Sequence, residues 1–143
     1  MRIFQILLFC SFFSATVLVG QNDSIWVGQN DFTNCTAVLL NDKMVVNEYT
    51  PTGKCELAID AKGIFTIQPV SLQDKGVVIP QGKRPFKIAI KDFNTKTMTL
   101  FSDQTYTEIE VSKVLSQCRK GDHIVFITLD RELALQHNEV LVK

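Results

Sequence analysis

Residues 86–91 read Phe-Lys-Ile-Ala-Ile-Lys, and this stretch decides the fold class. Apolar side chains at positions 86, 88 and 90 alternate with lysine, alanine and lysine at positions 87, 89 and 91. Successive side chains of an extended chain point to opposite faces, so a period of two separates a buried face from a solvated one. The stretch therefore predicts a β-strand that buries its aromatic and aliphatic side chains.

The segments around this strand show the same organisation. Asn-Thr-Lys at residues 94–96 predicts a turn. From residue 35 onward, short apolar runs alternate with turn residues at intervals of about ten residues, the spacing of sandwiches and barrels built from short strands. The predicted fold class is mainly β, an antiparallel β-sandwich-like domain. We predict strands at residues 35–40, 43–49, 55–60, 63–69, 77–79, 86–91, 97–101, 123–129, 132–135 and 139–143.

Two tight turns are predicted upstream. Asn41 and Asp42 tolerate a left-handed backbone and separate the first two strands. Gly63 can adopt a positive φ, which predicts a hairpin between residues 55–60 and 63–69.

Residues 108–120 carry the signals of one short helix. Thr107 suits the N-cap, and Glu110 follows three residues later, as in a capping box. Gly121 supplies the left-handed exit. The apolar face of this helix holds residues at helical spacing, namely Val111, Val114, Leu115 and Cys118.

The N-terminus indicates export. Residues 1–20 combine one basic residue, a long apolar run and a small final residue, which predicts a secretory signal peptide cleaved after Gly20. An N-terminal arm at 21–34 and a single β-rich domain at 35–143 would follow. An uncleaved anchor is the alternative, because the apolar run approaches the ~17 to 25 residues that span a bilayer. Either reading places the domain in the periplasm, outside the cell or at the cell surface, and a membrane contact would need that uncleaved segment.

Charge and composition exclude several classes of protein. The chain of 143 residues has 15 Lys and Arg against 15 Asp and Glu, and 45% of its residues are hydrophobic. A balanced charge offers no clustered cationic field for phosphate backbones, so nucleic acid is not a predicted partner. The composition fits an ordinary globular domain.

The spacing of the cysteines and histidines does not match a metal site or a catalytic site. Cys118 and His123 are five residues apart and match no zinc spacing, so the sequence predicts no metal, no cofactor and no catalytic residue. Cys35 and Cys55 are a candidate disulfide in an oxidising compartment. Their pairing requires neighbouring strands or facing sheets, because the Cα atoms must lie within roughly 7 Å, and the question stays open at this stage.

A basic run is the candidate partner-binding face. Such a run is usually a solvated strand face or an edge protected from pairing. An acidic protein partner is the functional interpretation. Its members are Lys83, Arg84, Lys87, Lys91 and Lys96.

A resemblance to a known family lies in residues 86–143. It rests on Phe-Lys-Ile-Ala-Ile-Lys-Asp at 86–92, the turn at 94–96, Cys-Arg-Lys-Gly-Asp-His-Ile-Val-Phe at 118–126, and the closing strands at 135–143. These segments resemble the C-terminal β-domain of GldM-like proteins, periplasmic components of gliding motility and type IX secretion in the Bacteroidota. The resemblance implies a sandwich-like module that works by contact with other envelope proteins, and it brings no catalytic residue.

Two classes of function follow. The first is an exported, non-enzymatic β-domain that binds a protein partner or has a structural role. The resemblance implies a link to gliding motility or type IX secretion. The alternative is an exported small-ligand-binding protein or enzyme with a pocket near Cys118 and His123.

Overall fold

The computed structural model describes residues 35–72, 78–131 and 134–143. The predicted leader at 1–20 and arm at 21–34 lie outside the described residues. Within the described part, the strands are β1 (Cys35–Leu40), β2 (Lys43–Met44), β3 (Glu56–Leu57), β4 (Ile64–Leu72), β5 (Val78–Pro80), β6 (Phe86–Lys91), β7 (Met98–Leu100), β8 (Glu108–Glu110), β9 (His123–Thr128), β10 (Ala134–Leu135) and β11 (Glu139–Val142), and the helix is α1 (Val111–Leu115).

The strands form two sheets, which confirms the predicted mainly-β class. Sheet 1 has the order β10-β1-β4-β5, with β2 beside β1 and β8 beside β4. Sheet 2 has the order β3-β11-β9-β6-β7. Most pairs are antiparallel, while β1–β10 and β3–β11 are parallel. In the described part, no helix has the length and hydropathy of a membrane span.

The core lies between the two sheets and centres on three phenylalanines. Phe65 of β4 meets Phe126 of β9 edge to face, with ring centroids 5.1 Å apart. Phe86 of β6 lies 5.8 Å from Phe126. All three rings are fully buried. The apolar positions that alternate along residues 86–91 therefore face sheet 1, as the period of two predicts, except that Ala89 is also buried.

The hairpin predicted between residues 55–60 and 63–69 is wrong. Glu56–Leu57 pairs with β11 in sheet 2, whereas β4 pairs with β1 in sheet 1. Gly63 does have a positive φ of 135°, but it packs against the first turn. A Cβ at Gly63 would come within 2.5 Å of the Asn41 side chain, whose Oδ1 accepts a hydrogen bond from the Ile64 N–H. The glycine thus permits a close contact between two loops.

The helix is shorter than the predicted 108–120. Residues Glu108–Glu110 form β8 and pair with β4, and the N–H of Val111 donates to the carbonyl of Gly63 at 2.9 Å. β-branched Thr107 and Ile109 favour the extended backbone that this pairing uses. The N-cap is therefore Glu110, without a side-chain capping bond, and the predicted cap at Thr107 is wrong.

The predicted turns are present. Asn41 and Asp42 both have positive φ values, of 49° and 61°. Lys96 has a φ of 58° in the turn before β7, and Gly121 has a φ of 95° after the helix. The strand predicted at 43–49 contracts to Lys43–Met44, followed by an isolated bridge between Val46 and Cys55.

Candidate protein-binding site

Sheet 2 has an outer face, which we define as the face turned away from sheet 1. Residues directly opposite each other on paired strands share a face, so the register assigns its members. Two neighbouring rows cross it, one made of Leu100, Ala89, Val125 and Glu139 and the other of Met98, Lys91, His123 and Leu141.

The apolar side chains of the outer face form an exposed patch. Met98 is 54% exposed, Leu100 47% and Ile127 37%. Ala89 and Val125 are buried, yet neither belongs to the core cluster between the sheets. Contiguous exposed apolar surface is uncommon on monomers and marks sites of interaction. This patch is the feature of the described molecule best suited to bind another protein.

Two of the five predicted basic residues border this patch. Lys87 lies opposite Ile127, and Lys91 lies opposite His123. Lys91 Nζ is 3.3 Å from Glu139 Oε2 on the same face. Both lysines are half-buried along their length, which is how long cationic side chains cover apolar surface while their charge reaches water.

The structure places the other three predicted basic residues elsewhere. Lys83 forms an ion pair with Glu108 of β8 in sheet 1, and this hydrogen bond and charge raise the pKa of Lys83. Arg84 is partly buried, and its Nε atom has no partner among the described residues. Lys96 Nζ lies 4.3 Å from the centre of the Phe93 ring. The run from 83 to 96 therefore contributes to several surfaces, and its partner-binding role stays a prediction.

The β7 strand is an edge of sheet 2 with free backbone groups. Its hydrogen bonds to β6 use alternate residues, because the Asp92 N–H donates to the Thr97 carbonyl and the Phe101 N–H to the Ile88 carbonyl. In an antiparallel ladder, the groups of the intervening residues point the other way. The N–H and C=O groups of Met98 and Leu100 therefore face outward, and no described residue pairs with them.

Two clefts lie near β7 in the described part. One of about 670 Å³ is lined by Phe101, Tyr106, Ile64 and the carboxylates of Glu108 and Glu110, which form ion pairs with Lys83 and Lys113. A second cleft of about 290 Å³ lies beneath Thr97 and Thr99 and reaches Arg119.

The candidate partner-binding residues predicted from the sequence do not include Met98 and Leu100. Thr97-Met98-Thr99-Leu100 does alternate, and the alternation correctly predicts a strand. The pattern alone assigns the methionine and leucine to the core, because a buried face is the usual place for the apolar side chains. Their exposure follows from the register of β7 with β6, which places them on the outer face of sheet 2 and which the local pattern does not show.

The structure separates the two residues of the predicted pocket. The Cys118 thiol donates to the Val114 carbonyl at 3.4 Å and packs against the core. His123 lies on the outer face, beside a shallow cleft that also contacts Cys55, Glu56 and Glu139. The described residues include no group of three His, Cys, Asp or Glu side chains arranged to hold a metal ion.

The two described thiols are held in their protonated form. Burial raises the pKa of Cys55 to about 11. Burial, together with the charge of Asp122, raises the pKa of Cys118 to about 11. Cys55 is a buried free thiol in this structure. Its predicted disulfide with Cys35 stays a prediction, because the Cys35 side chain lies outside the described part.

We expect Cys118 to react slowly in the folded protein. Only the thiolate is nucleophilic, and a pKa raised to about 11 leaves very little of it at pH 8. Alkylation by iodoacetamide should be about tenfold or more slower than in urea, where the thiol regains its ordinary pKa, as measured by mass spectrometry of the Cys118 peptide. The native rate should keep rising with pH up to about 11. Equal rates in the folded and unfolded protein would instead support a reactive site.

Comparison with known proteins adds no family to this geometry. No family model, curated protein or solved structure matches the chain.

Proposed function

We propose that this chain is an exported, non-enzymatic β-domain that binds another protein through the outer face and β7 edge of sheet 2. The observation that carries the proposal is the exposed patch of Met98, Leu100 and Ile127, which adjoins a strand edge whose outward backbone groups have no partner among the described residues. Interfaces combine such an apolar centre with a polar rim. Lys87 and Lys91 provide the rim here.

The chemistry of the thiols supports binding over catalysis. A catalytic cysteine needs a lowered pKa in an electropositive, partly exposed setting. Cys55 and Cys118 have raised pKa values, caused by burial at both thiols and, at Cys118, also by the negative charge of Asp122. Neither environment favours a nucleophile.

The predicted leader at residues 1–20 supports a partner outside the cytoplasm. The resemblance of residues 86–143 to the GldM-like domain makes components of gliding motility and type IX secretion the first partners to examine. An envelope or secreted protein is the proposed partner class in either case.

Site-specific photo-crosslinking tests this proposal. With benzoylphenylalanine in place of Leu100, the full chain expressed in its native cells should give a discrete cross-linked protein, identified by mass spectrometry. The matched control places the same amino acid at Thr52, an exposed residue of the turn after β2. We expect a product at position 100 and none at position 52. The absence of a product at position 100, or the same product at both positions, would contradict the proposal.

A further inference from the structure

We infer that the cleft of about 670 Å³ beside β8 binds a neutral saccharide. The site is separate from the patch of Met98, Leu100 and Ile127, because none of these three residues lines it. It therefore adds a binding function to the proposed one. Clefts of this volume that combine apolar walls with a few polar groups are typical of small-ligand sites.

The fold holds both walls of this cleft in place. One wall is β8, which pairs with β4 of sheet 1. The other wall is the segment 101–106, which is attached to β6 of sheet 2 at both ends. The Phe101 N–H donates to a β6 carbonyl at 2.9 Å, and Tyr106 and Phe86 exchange two backbone hydrogen bonds of 2.8 Å. The Tyr106 hydroxyl is also hydrogen-bonded to the Ser102 hydroxyl at 2.7 Å. A site formed in advance loses little conformational entropy when a ligand binds.

The apolar part of the lining consists of partly covered side chains. Phe101 and Tyr106 are half-buried, and their ring centroids are 6.3 Å apart with the planes inclined by 53°. Ile64 is 45% exposed on the wall opposite these rings. A half-exposed aromatic ring offers a flat apolar surface, and the C–H groups on one face of a sugar ring pack on such a surface. The two rings thus provide the platform of the site.

The polar part of the lining has balanced charges. The Glu110 carboxylate lies 3.9 Å from Lys113 Nζ, and Glu108 forms an ion pair with Lys83. Gln104 adds a neutral amide to the same cleft. Because each carboxylate is already paired with a lysine, a charged ligand would find no net charge of opposite sign here. The lining therefore favours an uncharged ligand.

The hydrogen-bonding capacity of these groups specifies the polar part of the ligand. A paired carboxylate keeps free lone pairs, a lysine has three N–H donors, and the Gln104 amide both donates and accepts. A hydroxyl group also donates and accepts, so it can be satisfied by any of these groups. A purely apolar ligand would instead remove water from the ion pairs and the amide without replacing its hydrogen bonds. The ligand is thus apolar on its faces, hydroxylated at its edges and uncharged, which describes a saccharide of neutral sugars.

A saccharide array tests this inference with the full chain. The array carries neutral oligosaccharides of glucose, galactose, mannose and N-acetylglucosamine, with oligosaccharides of galacturonic acid and of glucosamine as acidic and basic counterparts. We expect at least one neutral oligosaccharide to retain the protein, and the charged ones to retain it more weakly. Retention by no neutral oligosaccharide, or stronger retention by a charged one, would overturn the inference.

Two substitutions test whether retention uses this cleft. Phe101→Ala removes one ring of the platform and should raise the half-saturating protein concentration on the array about tenfold or more. Gln104→Ala removes an exposed side chain that makes no hydrogen bond among the described residues, and it should raise that concentration about twofold to tenfold. The matched control is Phe93→Ala, which removes a ring that is 52% exposed and lies outside this lining, so retention should not change.

Circular dichroism melting verifies that each variant folds, and Gln104→Ala decides the matter if Phe101→Ala does not fold. Weaker retention of a folded lining variant, together with unchanged retention of Phe93→Ala, supports the inference. Unchanged retention of every folded lining variant, or equal losses in Phe93→Ala, would assign the saccharide to another surface and overturn it. Cross-linking at position 100 is a separate measurement, so the proposed function does not depend on this result.

Discussion

Replacing Phe126 by alanine is expected to lower the free energy of unfolding by about 3 to 5 kcal/mol. The ring is 1% exposed and contacts Phe65 of the facing sheet and Phe86 of its own sheet. Its removal loses the burial of a large apolar side chain and leaves a cavity that rigid strands cannot close. Because small domains have total stabilities of about 5 to 15 kcal/mol, this loss should be evident in urea unfolding followed by circular dichroism.

The neighbouring residue provides the matched control. Ile127 follows Phe126 on the same strand, but it lies on the outer face and is 37% exposed. Ile127→Ala should therefore cost about 1 kcal/mol or less. If both substitutions destabilised the protein equally, the phenylalanines would not form the core described here. The pair also separates stability from binding. Ile127→Ala should lower the yield of partner cross-linking under conditions where its free energy of unfolding is nearly unchanged.

Local patterns predicted the strands well because side-chain alternation is a property of each segment. The period of two at residues 86–91 correctly assigns Phe86 and Ile88 to the core. The turn residues Asn41 and Asp42 adopt the left-handed backbone that their side chains tolerate. These features depend on neighbours within a few positions of the sequence.

Local sequence patterns do not predict which strands pair with each other. Glu56–Leu57 pairs with β11, more than eighty residues later in the chain, instead of with the segment that follows it. The helix prediction failed for a related reason, since β8 gains more from pairing with β4 than residues 108–110 gain from a capped first turn. Long-range partners decide both cases, and a single sequence does not specify them.

The candidate site was only partly predictable. The sequence pointed to lysines, and two of them, Lys87 and Lys91, do border the apolar patch. The patch itself depends on strand pairing, because the register of β7 with β6 places Met98 and Leu100 on the face turned away from sheet 1. Pairing register is a property of the assembled sheet, so no local pattern could have identified it.

Asp122→Ala is expected to destabilise the protein by about 3 kcal/mol, although no apolar contact is lost. The carboxylate is 5% exposed and accepts the Phe93 N–H at 2.9 Å and the Arg119 N–H at 2.7 Å. Charged acceptors make the stronger hydrogen bonds, and buried donors that lose them retain their desolvation cost. Asp122→Asn keeps one accepting oxygen and should lose about half as much.

Asp92 supplies the matched control for this second prediction. Its carboxylate also accepts two backbone N–H groups, from Thr95 and Asn94, and these bonds hold its pKa below the usual range. It is more exposed than Asp122, so water can replace the lost acceptor, and Asp92→Ala should destabilise the fold less in urea unfolding.

The effect of Asp122→Ala should extend to β7, the edge strand of sheet 2. Asp122 joins the exit of the helix to Phe93, which begins the turn that leads into β7. The N–H of the preceding residue, Gly121, donates to the Val142 carbonyl at 2.7 Å, which also attaches this segment after the helix to β11. Loss of the Asp122 hydrogen bonds to Phe93 and Arg119 should lower the cross-linking yield at position 100 under conditions where the variant is still folded. Unchanged cross-linking in the destabilised variant would show that β7 is held in place by its pairing with β6 alone.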